Sequence, residues 1–476
     1  MADLEQEGGP QAAANARGRV PSRGAVADRP VRAMKPGNAG RAKGTGHPGS
    51  TGGQLPEQEE PVVESRPKPF AISKQVVWEA YLRVKANKGA AGVDGESIAE
   101  FEKNLKGNLY RLWNRMASGS YFPPPVRAVE IPKKSGAGKR VLGVPTVADR
   151  IAQTVAARYL EPNVEPYFHE DSYGYRPGRS AKQALDQCRA RCWQQDWVID
   201  LDIRAFFDSI PHLLIQKAVA KHTQLKWLRL YVDRWLKAPL QQEDGSLMAR
   251  DQGSSQGSAI SPLLANLFMH YAFDSWIQRV FPGTSFERYC DDVVVHCATL
   301  SQAKYVQAAI GRRLAECGLE MHPEKTRIVY CKDQRRKGSY EHTRFEFLSY
   351  EFRARQVRGR GGRRFDGFNP AISPTQAKRL RREMRSWHLC RWTTKTLAQL
   401  AEWVNPRLQG WVNYYGHIYR SALLPILRLL NEHLARWARR KYKRLHNSRV
   451  DAYRLLQRIA RQEPNLFVHW RLGLQP

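Results

Sequence analysis

The sequence predicts an α+β protein with an all-α carboxy-terminal part, on three observations. Short β-forming runs end in carboxylates at 198–203 and around Asp291-Asp292, and a helical pattern of apolar and basic residues occupies 374–449. Residues 1–68, rich in Gly, Ala and Pro, carry little periodic hydrophobicity and read as a disordered tail. At 476 residues the chain is long enough for two or three domains with substantial cores.

Each element has a local reason. Lys133 and Arg140 lie on two strands linked by a flexible turn of small residues, Ser135-Gly136-Ala137-Gly138. A Gly-Tyr-rich turn leads into a helix opening with Arg176, Arg179 and Lys182, a layout suited to gripping nucleic-acid phosphates, while Tyr173 or Tyr175 either stacks on a base or packs in the core. In the run 198–203 acidic and apolar residues alternate, so Asp200 and Asp202 share a face, and the same alternation sends Phe206 and Phe207 to opposite faces. Ser261-Pro262 reads as the cap and first turn of a helix reaching about Trp276. Phe286-Glu287-Arg288 runs into Tyr289-Cys290-Asp291-Asp292 and Val293-Val294-Val295 runs out, which sets two adjacent carboxylates at the tip of a β-hairpin.

The α+β body therefore spans 69–353. Beyond it, Arg353, Arg355, Arg358, Arg360, Arg363 and Arg364, interleaved with glycines, form a basic loop, and 354–373 is a linker. The helical region 374–449 carries Trp387, Trp392, Trp403, Trp411 and Trp437, most of them expected in its core, and a basic face that includes Arg439, Arg440 and Lys441. A short segment, 450–476, contains Phe467-Val468-His469-Trp470 as a candidate contact to DNA.

The net charge of +32 is extreme for a metabolic enzyme and points to a polyanionic partner, with 10% aromatic residues available as stacking platforms. Seven cysteines include no Cys-x-x-Cys pair; Cys188 and Cys192, one helical turn apart, read as packed thiols, which indicates neither zinc nor a disulfide framework. No apolar run approaches membrane-spanning length and no signal-peptide core is present, so an intracellular location, in bacterial cytosol or nucleoid, is expected.

An Asp pair between strands is by itself an ordinary polar turn. Its chemistry comes from company: if Asp291 and Asp292 converge with Asp202, or with Asp200 on the same face, the like charges stay ionised only when a cation shares the site. Oxygen-only ligation favours Mg²⁺ or Mn²⁺, and two such ions about 4 Å apart serve in-line nucleotidyl transfer.

Around that pair, ordered segments resemble the group II intron-encoded reverse transcriptase and maturase family over about residues 70 to 470. Asn87-Lys88-Gly89-Ala90-Ala91-Gly92-Val93-Asp94-Gly95 resembles its amino-terminal extension motif. Ile131-Pro132-Lys133-Lys134, Lys139-Arg140, Val144-Pro145-Thr146 and residues 172–180 resemble its fingers motifs. Residues 202–208 and 253–264, the Tyr-x-Asp-Asp box at 289–292, His322-Pro323-Glu324-Lys325-Thr326 and Phe345-Glu346-Phe347-Leu348 resemble its palm motifs, and Gly410-Trp411-Val412-Asn413-Tyr414-Tyr415 its thumb, or maturase, region.

The resemblance implies a right-hand polymerase, with fingers and palm over 69–353 and an all-α thumb, or maturase domain, over 374–449. It selects Asp202 over Asp200 and implies catalytic Asp202, Asp291 and Asp292, which hold two Mg²⁺ together with the backbone carbonyl of Ile203. Lys133, Arg140, Phe207 and Gln256 would take the incoming nucleotide, with Phe207 as a steric gate against a 2′-hydroxyl. The implied activity is RNA-directed DNA synthesis by a protein that binds group II intron RNA, assists its splicing and copies it during mobility. Implied partners are that RNA, an RNA template with DNA primer or target, and deoxynucleoside triphosphates; no membrane is implicated. A stand-alone domesticated reverse transcriptase, or a splicing cofactor acting by RNA binding, are the other readings. The chain departs from the family at Cys290, where Ala is usual, and at Ser254-Ser255, where Thr-Pro is commoner; polymerase activity is expected to survive both, though oxidation or altered fidelity is conceivable at Cys290. The cysteines of the zinc-bearing endonuclease found in many members are missing, so mobility is expected to proceed without its second-strand nick.

Overall fold

Thirteen strands and a larger share of helix build the protein in a computed structural model that describes residues 68–132, 139–359 and 361–476. The expected tail, apart from Lys68, and the turn 135–138 lie outside the described residues. In chain order the strands are β1 (Val126–Pro132), β2 (Lys139–Val144), β3 (Trp197–Leu201), β4 (Ile203–Arg204), β5 (Leu240–Gln241), β6 (Leu247–Met248), β7 (Phe286–Tyr289), β8 (Asp292–Cys297), β9 (Glu320–Met321), β10 (Arg327–Tyr330), β11 (Phe345–Phe347), β12 (Tyr350–Arg358) and β13 (Arg364–Ile372).

The sheet that positions the site runs β10-β3-β8-β7, antiparallel throughout. Its strands are rich in β-branched and aromatic residues because both faces are covered. Alternate side chains feed two different cores. Ile199, Leu201, Val293 and Val295 join one with helices Val147–Val164, Ser261–Met269 and Leu300–Glu316; Val198, Val294 and Val329 join the other with helix Ala181–Gln194 and the carboxy-terminal helices. A second sheet, β2-β1-β5-β6, lies in the amino-terminal half, with Ile131 opposite Arg140.

Four expectations require correction. Residues 354–373 are not a linker: β12 and β13 pair along nine residues each in an antiparallel hairpin, Tyr350 opposite Ile372 and Arg358 opposite Arg364, and among the Arg residues of the expected loop Arg360 alone lies outside the described residues. Phe352 and Phe368, inward-facing and fully buried, pull this Arg-rich stretch into a sheet. The segment 450–476 is not a loose DNA contact either, because it forms helices Arg449–Gln462 and Val468–Arg471 and inserts Phe467, His469 and Trp470 into the second core, all at most 1% exposed. The side-chain carbonyl of Asn431 accepts from both His469 Nε2 and Trp470 Nε1, at 2.7 and 2.9 Å. Burial pushes the His469 imidazole down to about 3.

The third correction concerns the helix at 261. Ser261 is its first residue and Ile260 its cap position; the run passes through a π-helical turn, His270–Asp274, and continues as Ser275–Val280. The Ser261 hydroxyl instead meets that of Ser254 at 2.7 Å. Fourth, Phe206 and Phe207 are not on opposite faces of a strand. β4 ends at Arg204, Ala205 turns the chain at φ 46°, and Phe206–Ser209 is a helical turn in which the two rings touch, centroids 5.2 Å apart.

The tryptophans behave as expected. Trp387 packs edge-on against Trp403 and face-on against Trp411, Trp392 closes on Trp403, and Trp437 is 1% exposed.

Candidate active site and nucleic-acid interface

Tyr289 pairs with Asp292, so the hairpin turn consists of Cys290 and Asp291 alone. A two-residue turn between twisted strands demands a positive φ, and Cys290 adopts φ 62°. A non-glycine residue there costs about 1–2 kcal/mol, which the surroundings must offset. They do so through Arg288. Its guanidinium, 0% exposed, donates to both carboxylate oxygens of buried Asp274 at 2.7 and 2.6 Å, to Asn266 Oδ1 at 2.9 Å and to the Cys290 carbonyl at 3.0 Å. Asn266 in turn donates to the Gly174 carbonyl at 2.6 Å. Gly174 has no alternative: a Cβ there would stand 2.6 Å from the Cys290 backbone nitrogen.

Opposite the turn, Leu201 and Val293 are the last pair of β3 and β8, so Asp202 and Asp292 are each the next residue past that pair. Asp202 interrupts the strand. Its amide meets the Thr326 hydroxyl at 3.2 Å and its carbonyl accepts from His322 N at 2.8 Å, which leaves Ile203 to restart the chain as β4 against Met321. The carboxylates feel one another. Burial, with Asp202 contributing, pushes Asp291 up; burial, then Asp292 and Asp202, push Asp200 up to about 8. Lys325 Nζ lies 3.2 Å from Asp202 Oδ2 and supplies a positive charge. Among the described residues Asp202, Asp291 and Asp292 are not a set whose ligand atoms all lie within 4.8 Å of one another. The donor chemistry, all carboxylate oxygen with mutual repulsion, nonetheless suits hard divalent cations. A cleft of about 490 Å³, bordered by Asp200, Lys325, Arg327, Glu346 and Thr375, opens between this strand end and the β11–β13 sheet.

The other predicted residues fare variously. Lys133 lies outside the described residues, whereas Arg140 is exposed on β2. Phe207 is half-buried and its carbonyl accepts from Ser254 N at 2.6 Å, which joins the aromatic pair to the loop bearing Gln256. Gln256 is half-buried and its carbonyl takes the Gly143 amide of β2 at 2.8 Å; at the next residue φ is 118°, and a Cβ would meet the Gly143 carbonyl at 2.5 Å, so Gly257 is required.

Arg176 does not face outward. Its side chain is 5% exposed, bidentate to Glu165, and donates to the His169 and Ser172 carbonyls, both at 2.6 Å. Arg179 is exposed beside the Tyr173 ring, and Lys182 half-buried in the first turn of the helix that Ser180 caps. Tyr173 is core, whereas Tyr175 is exposed, 6.1 Å from the Tyr289 ring. Farther on, Arg440 is exposed, but Arg439 donates to the His446 carbonyl and Lys441 to those of Thr393 and Lys395. Arg288, Asp274, Asn266 and Gly174 were missed as site residues, because only the fold brings them together.

Residues 131–352 match the reverse transcriptase (RNA-dependent DNA polymerase) family and residues 377–456 the group II intron maturase-specific domain. The chain belongs to the group II intron-encoded reverse transcriptase and maturase family. It is 35% identical over 295 residues to protein YkfC of Escherichia coli, covering 54% of this chain and 77% of that one. It is 31% identical over 204 residues to the group II intron-encoded protein LtrA of Lactococcus lactis, covering 42% of this chain and 33% of LtrA, and 30% identical over 199 residues to a putative COX1/OXI3 intron 1 protein of Saccharomyces cerevisiae, 42% and 24% of the two chains. Among the described residues no helix is long and apolar enough to cross a membrane.

Proposed function

We propose that the protein is an RNA-directed DNA polymerase that binds group II intron RNA, assists its splicing and reverse transcribes it. The observation that carries this reading is the meeting of the Cys290-Asp291 turn with the interrupted strand end at Asp202, where the neighbouring carboxylates help to push Asp291 and Asp200 up. In this reading the β10-β3-β8-β7 sheet is the palm, the β1–β2 hairpin belongs to the fingers, and the helices from Pro374 onward form the thumb.

Asp202, Asp291, Asp292 and the Ile203 carbonyl would hold two Mg²⁺. The chemistry supplied by such ions when bound would be activation of a primer 3′-hydroxyl and stabilisation of the departing pyrophosphate. The chain itself supplies placement. Arg288 fixes the turn so that Asp291 presents its carboxylate without loop reorganisation, the economy expected of a preorganised site. Lys133 and Arg140 would meet the triphosphate, and Phe207, backed by Phe206 and tied to Ser254, would stand beneath the incoming sugar and reject a 2′-hydroxyl. With Arg176 held internally, phosphate contacts in that region fall to Arg179 and Lys182, and near the carboxy terminus to Arg440.

Extension of a DNA primer on an RNA template with Mg²⁺ and deoxynucleotides tests the proposal. Wild type extends and Asp291→Ala does not, while the variant keeps its affinity for intron RNA; equal extension by both would refute the polymerase assignment.

A further inference from the structure

A second cluster of metal-binding side chains lies away from the carboxylates, in the core between the sheet and helix Ala181–Gln194. Cys188 and Cys192 face the sheet from that helix, one turn apart. Glu287 comes from β7 and His296 from β8. His296 pairs with Val198, which pairs with Val329, so Cys331, two residues beyond, shares their face. All five side chains are at most 2% exposed. Donor atoms of Cys188, Glu287 and His296 already lie within 4.8 Å of one another, and Cys192 is in side-chain contact with Cys188, Cys331 and His296.

The imidazole is the informative member. Its Nε2 meets Glu287 Oε2 at 2.6 Å, and the other oxygen of Glu287 accepts from Arg191 at 2.6 Å. Its Nδ1 is buried without a hydrogen-bond partner. Burial works against its charge, but Glu287 and Cys192 push the imidazole up to about 10, so without metal the unpartnered nitrogen keeps its proton. A histidine that donates one ring N–H to a carboxylate and, once its other nitrogen gives up a proton, offers that nitrogen among thiols has the arrangement of a zinc ligand with its orienting outer-shell acid. Three cysteines and one histidine form a donor set typical of structural zinc.

We propose that the protein binds a structural Zn²⁺ through Cys188, Cys192, Cys331 and His296 Nδ1, with Glu287 holding the imidazole from outside the coordination shell. Each of the three thiols and the Nδ1 of His296 releases its proton to solvent on binding. His296 stands four residues along β8 from Asp292, about 13 Å at the strand rise, so this site is separate from the carboxylates. The ion would fasten helix Ala181–Gln194 to the strands that carry the Cys290-Asp291 turn, and the site stands whether or not the chain polymerises.

Metal analysis of the full-length protein, purified under reducing conditions without chelator, tests it. The expected result is stoichiometric zinc; after zinc is stripped, Co²⁺ gives thiolate charge-transfer and tetrahedral d–d bands. Cys192→Ser loses the cobalt bands, whereas Cys317→Ser, whose thiol sits in the other core, keeps them. Folded wild type that carries no zinc and gives no cobalt spectrum overturns the proposal, and leaves the cluster as a metal-free charge network of Arg191, Asp171, Glu287 and His296. Because that result is read on wild type, a variant that fails to fold does not obscure it.

Discussion

Arg288 sets the terms for the residues around it. A guanidinium with no exposure is tolerable only because Asp274, Asn266 and the Cys290 carbonyl take up its donors, and each of those groups is buried for its sake. Removing it leaves the Asp274 carboxylate unpaired in the interior. Arg288→Ala is expected to lose about 3–5 kcal/mol in denaturant unfolding. Arg288→Lys keeps the charge but not the fork, so its rate of primer extension should fall more steeply than its stability. Cys290 beside it is 3% exposed, and burial raises its thiol further from reactivity, which answers the concern that this position invites oxidation. Much at this scale was legible: a turn-prone acidic pair between β-forming runs is a local signal. Arg288 was not, since its partners Asp274 and Asn266 lie 14 and 22 positions upstream and only the fold brings them together.

Among the elements, the β12–β13 hairpin shows how composition misleads. Glycines and arginines at 353–364 read as a loop, but pairing is decided by what alternates with them, and Phe352 and Phe368 face inward with no exposure. The hairpin carries Arg358, Arg363 and Arg364 exposed around its tip, while Arg355 is engaged by Glu351 and the Asn369 carbonyl. Replacing the three tip arginines with Glu should weaken RNA binding and flatten its dependence on salt. Each lost phosphate contact on a single strand lowers the slope of log K against log salt by roughly 0.7. An unchanged slope in filter binding would show that the tip does not touch RNA. The helix after Ser261 was read correctly in kind but not in its cap, whereas 450–476 was misjudged because its buried Phe467 and Trp470 sit in a stretch too short to show a period.

For the whole molecule, the central sheet is the organising fact. Covered on both faces, it divides two cores, and the second of these runs without a break from Leu185 through Val294 to Trp470. Boundaries drawn at 353, 373 and 449 therefore mark changes in composition, not separations in packing, and the described residues fall within one compact unit. A net charge of +32 announced a polyanionic partner correctly in kind, but charge alone did not say which cations face it: Arg176, Arg439 and Lys441 are all engaged internally. Polymerase chemistry in this fold requires divalent ions to gather where β3 breaks and the β7–β8 turn closes. Anomalous scattering from a crystal grown with primer, RNA template, an incoming deoxynucleotide and Mn²⁺ measures that directly. Two peaks about 4 Å apart, in contact with Asp202 and Asp291, are predicted; a loaded complex with no manganese at those carboxylates would contradict it.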